Sequence, residues 1–181
     1  EYVHAISALI KVIKEGRSLD KSFPAEISPL GKQVTYGVLR DYYRLDFLIG
    51  ELLKKPLQSK HLDLKMLLFC GIYSINSLNR PGHASVNAVV DTTRLLKKDW
   101  ARGLINAVLR NYIRQSKQFA LLTPDNPGKN IEVKTNHPAW LFNKINEAWS
   151  DKTDQIIEAN NQKPPMVLRV NQQRSTRDSY L

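Results

Sequence analysis

Hydrophobic residues recur at helical spacing along the first two-thirds of the chain. The first predicted helix runs from about Tyr2 to Lys14, and Gly16 is a natural stop. Ser28 followed by Pro29 supplies a cap and a first-turn residue for a second helix. The remaining apolar segments predict helices over about 44–55, 61–78, 84–97 and 101–120, of which 61–78 is the most buried. Residues 1–120 therefore predict an all-α bundle with short connections.

The pattern changes after residue 120. LLTPDNPGKNIEVKTN at 121–136 indicates a linker or surface loop, and HPAWLFNKINEAWS and DKTDQIIEANN predict two short helices. PPMVLRVNQQ alternates as a strand does, and RSTRDSYL begins a helix that Ser175 or Thr176 would cap. A lone strand and a short helix cannot bury themselves, so we expect 137–181 to open an α/β domain that continues past the chain. The opening EYVHAISALIKVIKEG already lies inside a helical pattern, so we also expect residues before it.

The charge is concentrated in the predicted bundle. The formal net charge is +10, and residues 1–120 hold 19 Lys and Arg against 10 Asp and Glu, whereas 121–181 hold 8 against 7. Such a surplus suits a polyanion, although charge alone does not separate RNA from DNA or an acidic protein. No apolar run approaches the roughly 20 residues of a membrane span, and no export signal is visible, so we expect a cytoplasmic protein without membrane contact.

Cys70 is the single cysteine, and it lies among apolar residues in MLLFCGIYSI. This excludes an internal disulfide, and the four scattered histidines make a structural zinc site improbable. We expect a core thiol and no metal site.

Basic residues collect around the last two predicted bundle helices. In ARGLINAVLRNYIRQ, polar residues stand four apart along the border of the apolar face, namely Arg102, Asn106, Arg110 and Arg114. Over 94–117 the cations are Arg94, Lys97, Lys98, Arg102, Arg110, Arg114 and Lys117, against one acid, Asp99. This patch could position a nucleic-acid backbone, or the arginines could simply be solvated.

Three residues near this patch have structural interpretations. Asn106 is a poor helix former, so we expect its amide to satisfy backbone groups at a neighbouring helix end, with a base-edge contact as the alternative. Gly103 suggests close approach of another backbone. Ser85 is expected to cap the helix that follows Arg80-Pro81-Gly82, although amides at the start of that helix, near His83, could instead bind phosphate.

A second basic group lies at another predicted junction. Arg40 and Arg44 flank Tyr42 and Tyr43, whose rings could stack on unpaired bases or pack on the core.

Several stretches carry a resemblance to a known family. They are EGRSL, YGVLRDYYRLDFLI, RPGHASVNAVVDTTRLLKK, GLINAVLRNYIRQ, HPAWLFNKI and EANNQKPPMVLRVN followed by TRDSYL. Over essentially all 181 residues the chain resembles the N-terminal part of the bacterial 16S ribosomal RNA cytosine-5 methyltransferase family, whose first domain is similar to the transcription factor NusB.

The resemblance implies a NusB-like RNA-binding helical domain at 1–120, a linker at 121–136, and the start of the methyltransferase domain's N-terminal subdomain at 137–181. The family's S-adenosylmethionine loop and catalytic cysteine motifs have no counterpart here, so we expect no catalytic, cofactor-binding or metal-binding residue in this chain, with S-adenosylmethionine serving the parent enzyme. Trp140 and Trp149 are expected to pack against the catalytic domain.

The implied function is to bind 16S ribosomal RNA and position the catalytic domain. The residues that we expect to bind RNA are Arg40, Arg44, Arg94, Lys97, Lys98, Arg102, Arg110 and Arg114. The resemblance leaves open whether a ribosomal protein assists and whether the chain forms oligomers. The alternative is a NusB-like antitermination factor, which would not need residues 160–181.

Overall fold

The described structure is built from α-helices. A computed structural model describes residues 1–180 apart from 79, 123, 125 and 126. In chain order its helices are α1 (Tyr2–Glu15), α2 (Pro29–Arg40), α3 (Tyr42–Leu52), α4 (Leu62–Ser77), α5 (Gly82–Leu95), α6 (Arg102–Arg114), α7 (Ser116–Leu121), α8 (Pro127–Thr135), α9 (Ala139–Ala148), α10 (Thr153–Asn161) and α11 (Arg177–Tyr180). Short 3-10 turns lie at Leu19–Lys21, Ser59–His61 and Asp99–Ala101. The predicted all-α class is confirmed.

Helix α4 forms the centre of the bundle. It packs against α1, α2, α3, α5 and α6. Its residues 66–70, which include Phe69 and Cys70, are completely buried. A helix that is apolar on all sides must be covered on all sides, which explains this central position. Within the described residues, no helix has the length and apolar character that crossing a bilayer requires.

The local stop and start signals act as the sequence predicts. Gly16 ends α1 in the left-handed conformation, with φ of 65°. At the start of α2, the Ser28 hydroxyl accepts a hydrogen bond from the Gly31 N–H at 3.0 Å. At the start of α11, the Thr176 hydroxyl accepts from the Ser179 N–H at 3.2 Å.

Helices α2 and α4 approach closely at Gly37. A Cβ atom at this position would lie 2.0 Å from carbons of the Tyr73 ring. No side chain fits without movement of the ring, so glycine sets the separation of these two helices.

The helix predicted over 101–120 is interrupted. Helix α6 ends at Arg114, and α7 begins at Ser116 after Gln115, whose φ and ψ are −112° and 16°. The break turns α7 back, so that the Phe119 ring stacks on Tyr112 with the ring centroids 6.0 Å apart. Burial of Phe119 therefore favours two helices over one straight helix.

The loop interpretation of 121–136 is wrong for residues 127–135, which form α8 and pack against α3. Val133 is buried there, at 7% exposure. Helix α8 also contacts α9, and α9 contacts α10, so this segment connects the bundle to the two short helices that the sequence predicts.

Residues 163–170 form neither helix nor strand in the described structure. Met166 and Val167 are 85% and 84% exposed. A strand forms only against a partner strand, so the predicted strand stays a prediction.

Candidate nucleic-acid interface

The basic patch lies at the corner where α5 passes into α6. These two helices pack against each other, and the Asp99–Ala101 turn precedes α6. On α6 the buried residues are Ile105, Val108, Leu109 and Tyr112. The arginines of α6 are exposed, as their place on the border of the apolar face predicts.

Six of the seven cations over 94–117 are exposed, and one of the six, Lys117, lies on α7. We call the other five the basic face, and they are Arg94, Lys97, Arg102, Arg110 and Arg114. In the basic face, Arg102 pairs with Asp91 at 3.1 Å, and these side chains are 46% and 67% exposed. Exposed pairs of this kind contribute little free energy, so a phosphate can replace the carboxylate at small cost.

The other two α6 arginines hydrogen-bond to neutral amides. Arg110 Nε donates to Asn106 Oδ1 at 2.9 Å, and Arg114 Nη2 donates to Asn111 Oδ1 at 3.5 Å. Neither amide neutralises the guanidinium charge. Both cations therefore retain full charge at the surface, where an anion can reach them.

Lys97 occupies a backbone position that favours glycine. Its φ is 56°, in the left-handed region. The Lys97 N–H donates to the Arg94 carbonyl at 3.0 Å and the Lys98 N–H donates to the Thr93 carbonyl at 2.8 Å, which is the hydrogen-bond pattern of a Schellman cap. The corresponding left-handed residue at the end of α1 is Gly16. A lysine thus occupies a position where glycine would be less strained.

Lys98 differs from its neighbour because its ammonium is already engaged. It pairs with Asp63 at 2.6 Å and donates to His61 Nδ1 at 3.2 Å, and its side chain is 18% exposed. The lysine can only donate, so Nδ1 of His61 is the acceptor in this contact. Lys98 therefore anchors the corner to the start of α4, and we leave it out of the basic face.

Arg44 is held by the end of α7. Its guanidinium donates hydrogen bonds to the carbonyl oxygens of Leu122 and Phe119. These bonds provide partners for carbonyls at the C-terminal end of α7. Its backbone N–H donates to Asn136 Oδ1 at 3.1 Å. Burial lowers the pKa of Arg44. These contacts give Arg44 a structural role, so we leave it out of the basic face.

Of the tyrosines between Arg40 and Arg44, Tyr42 packs on the core and Tyr43 packs on Tyr42. Tyr42 lies edge to face with Phe69, with the ring centroids 5.7 Å apart, and Tyr43 lies edge to face with Tyr42 at 5.6 Å. Arg40 is half-buried at the end of α2. Beside it, burial raises the pKa of Asp41, and the Arg40 charge partly opposes that rise. These contacts favour packing of the tyrosine rings within the protein over stacking on unpaired bases.

The expectations for Asn106 and Gly103 are wrong. Asn106 Oδ1 accepts from Arg110 rather than from the backbone of a neighbouring helix. A Cβ at Gly103 would find no atom within 4 Å, so no backbone approaches it. Both residues instead line an open groove of about 340 Å³ with Asn87, Val90 and Arg102.

The expectation that Ser85 caps α5 is also wrong. The helix begins at Gly82, and its N-cap position is Pro81, which provides no side-chain cap. Ser85 lies inside the first turn at 1% exposure, and its hydroxyl has no hydrogen-bond partner among the described residues.

One exposed aromatic residue of this corner was not predicted from the sequence as part of the site. Trp100 lies in the Asp99–Ala101 turn at 62% exposure, and Leu95 at the end of α5 is 69% exposed. The sequence does point to this residue, because LLKKDW places a tryptophan close to two lysines between two predicted helices.

A larger cavity among the described residues lies elsewhere, and its lining includes both acids and bases. It measures about 730 Å³ and lies between α3 and α8. Its lining includes an ion pair between Lys65 and Asp46, and the carboxylates of Glu51 and Glu132. Acids and bases alternate there, so it does not suit a polyanion.

Comparison with known families divides the chain into two matched regions. Residues 137–181 match the domain described as "Methyltr_RsmF/B-like, ferredoxin-like domain", and residues 4–114 match the NusB family. The chain is 37% identical over 177 residues to a probable ribosomal RNA small subunit methyltransferase B of Coxiella burnetii, covering 98% of this chain and 38% of that protein. It is 39% identical over 184 residues to the ribosomal RNA small subunit methyltransferase B of Vibrio cholerae, covering 97% of this chain and 41% of the relative.

The chain thus spans about two-fifths of the length of the curated relatives it matches. The NusB match covers more than half of its residues and coincides with the helical bundle. On this match the chain belongs to the NusB family.

Proposed function

We propose that this chain holds 16S ribosomal RNA for a methyltransferase domain, and that the basic face contacts the RNA backbone. The observation that carries the proposal is the concentration of exposed, weakly paired cations on α6 and at the end of α5. The relatives' name, ribosomal RNA small subunit methyltransferase B, supports ribosomal RNA as the polyanion. We expect the protein to act in the cytoplasm, where ribosomal RNA is modified.

Phosphate contacts position RNA without reading its sequence. Arg110 and Arg114 lie about one helical turn apart on α6, roughly 6 Å along the helix axis, and Arg102 lies about two turns before Arg110. Cations spaced along a helix in this way can contact several phosphates of one strand. We therefore expect a short stretch of backbone to follow α6, with Lys97 and Arg94 meeting it at the corner.

The methyl transfer itself would be performed by a domain outside these residues. S-adenosylmethionine would supply the methyl group, and the resemblance implies cytosine C5 as the acceptor atom. Cys70 does not suit the role of the attacking thiolate, because it is completely buried in α4 and burial raises its pKa. This chain would bind and orient the RNA.

Residues 137–181 favour a methyltransferase over an antitermination factor, because they match the ferredoxin-like domain of RsmF/B-like methyltransferases. Trp140 and Trp149 are 63% and 56% exposed. We propose that they face the methyltransferase domain, where a large indole surface would become buried.

The proposal is tested by filter binding of 16S ribosomal RNA over a salt series. The triple variant Arg102→Gln, Arg110→Gln, Arg114→Gln should bind more weakly, and its salt slope should fall by roughly 0.7–0.9 for each lost contact, because fewer counterions are released. An unchanged slope for this variant, with the fold intact by circular dichroism, would refute the assignment.

A matched control separates local contacts from net charge. Lys14→Gln, Lys21→Gln, Lys32→Gln removes three exposed cations from the α1–α2 region. If net charge alone governs binding, both triple variants lose affinity equally. The proposal requires that the α6 variant lose clearly more.

A further inference from the structure

Trp100 presents a large aromatic surface at a cationic corner. The indole is 62% exposed, although tryptophan is usually well covered in folded proteins. Between Arg94 and Arg102 the chain carries four cations and a single acid, Asp99. The exposed ring therefore lies in a segment whose positive charge attracts an anion.

The indole is held in place before any ligand binds. The next residue, Ala101, is completely buried, and its N–H donates to the Lys98 carbonyl at 2.9 Å. The His61 ring packs against Trp100 edge to face, with the centroids 5.1 Å apart and the planes at 62°. Contact with a neighbouring ring restricts the side-chain torsions, so a ligand that stacks on the indole loses less entropy in ordering it.

His61 is itself fixed by a chain of polar contacts. Lys98 donates to His61 Nδ1 at 3.2 Å and pairs with Asp63 at 2.6 Å. The contacts connect the Asp99–Ala101 turn to the start of α4, a central element of the fold. Trp100 is thus supported by the bundle rather than by a free loop.

The surroundings of Trp100 favour a nucleobase over a protein side chain. The cores of protein interfaces are depleted of lysine, because burying its charge is costly. Here the exposed Lys97 and Arg94 precede Trp100 closely in the chain, and Lys60 directly precedes His61. A nucleotide provides both an aromatic face for the indole and a phosphate for such cations.

We infer that Trp100 stacks on one unpaired base of the bound RNA, while Lys97 and Arg94 hold the flanking phosphates. The inference rests on the proposed RNA binding and adds a site for a single-stranded nucleotide to it. Stacking tolerates any base, so this site would select for unpaired RNA rather than for a sequence.

The first test measures filter binding of a single-stranded oligouridine. Trp100→Ala should weaken binding roughly 5- to 150-fold, the range expected for loss of one stacked base. Its salt slope should stay the same, because no charge is removed. Trp100→Phe should recover most of the affinity, and Trp140→Ala, which removes an indole of 63% exposure, should bind as the unaltered chain does.

The second test uses Trp100 as a fluorophore in the variant Trp140→Phe, Trp149→Phe, where it is the remaining tryptophan. Oligouridine should quench its emission, whereas an abasic strand of equal length and charge should quench little. Equal affinity of Trp100→Ala and the unaltered chain would overturn the stacking site and leave the basic face standing. Failure of the unaltered chain to bind any RNA would overturn the proposed function as well.

Discussion

Replacing Lys97 with glycine should make the fold more stable and RNA binding weaker. The residue lies just after the end of α5, with φ of 56°. A left-handed conformation costs an L-residue roughly 1–2 kcal/mol, and glycine avoids this strain. Glycine also loses more backbone entropy on folding, about 0.5–1 kcal/mol. The difference predicts that Lys97→Gly raises the free energy of unfolding by roughly 0.5–1 kcal/mol.

The same substitution removes one cation of the basic face. If Lys97 holds a phosphate, the salt slope of RNA binding should fall by roughly 0.7–0.9. Stability is measured by urea titration and binding by filter assay over a salt series, both on the same preparation. A loss of binding cannot then be attributed to unfolding, because the variant is expected to be the more stable protein.

Two further variants complete the comparison. Lys97→Gln keeps the strained backbone and removes the charge, so it should bind as weakly as Lys97→Gly without the gain in stability. Gly16→Lys places a lysine at φ of 65° at the end of α1, and should lower the free energy of unfolding by roughly 1 kcal/mol without weakening RNA binding. A destabilised Lys97→Gly would refute the strain argument, and an unchanged salt slope would refute the phosphate contact.

Three other variants and one chemical reaction test the packing. Gly37→Ala should lower the free energy of unfolding by roughly 1–3 kcal/mol, because the new Cβ would lie 2.0 Å from the Tyr73 ring, whereas Gly50→Ala, which meets no atom within 4 Å, should raise it by about 0.5–1 kcal/mol. Urea titration checks both, and a stabilised Gly37→Ala contradicts the packing argument. Cys70 should resist iodoacetamide until urea unfolds the protein, because burial raises its pKa and excludes the reagent; rapid labelling of the folded chain, seen by mass spectrometry, would contradict this. Asn106→Leu should change the free energy of unfolding by less than about 0.5 kcal/mol, because its amide accepts a hydrogen bond from a surface arginine. A larger loss of stability in thermal melting would show that the amide has buried hydrogen-bond partners.

Helix boundaries with a local chemical cause could be predicted from the sequence. Gly16 can adopt positive φ, and Ser28 can accept a hydrogen bond from the first turn of α2. Pro29 has no N–H to satisfy at the first helical position. These causes act within a few residues, so the sequence pattern contains them.

Helix α8 could not be predicted in this way. Its first turn contains Gly128, a weak helix former, and it follows a segment rich in proline and polar residues that is typical of a loop. Its stability comes from packing against α3, where Val133 becomes buried. Tertiary contact thus overrides the local preference for a loop, and the sequence pattern does not show that contact.

The candidate site also contains residues that could be predicted from the sequence and residues that could not. The exposure of Arg102 and Arg110 follows from their place beside the apolar face of α6, and was predictable. The engagement of Arg44 was not, because its carbonyl partners lie 78 and 75 residues away in the chain. The Asp63 partner of Lys98 lies 35 residues away. Helical periodicity shows which side chains face outward but not which distant group they meet.

Ultraviolet cross-linking of the chain to 16S ribosomal RNA, followed by mass spectrometry of the nucleotide-bearing peptides, tests the central claim most directly. If RNA contacts the basic face, cross-links should lie within residues 94–114 and should be lost in the α6 triple variant. Cross-links confined to peptides outside 94–114, on a chain that binds RNA and remains folded, would contradict it.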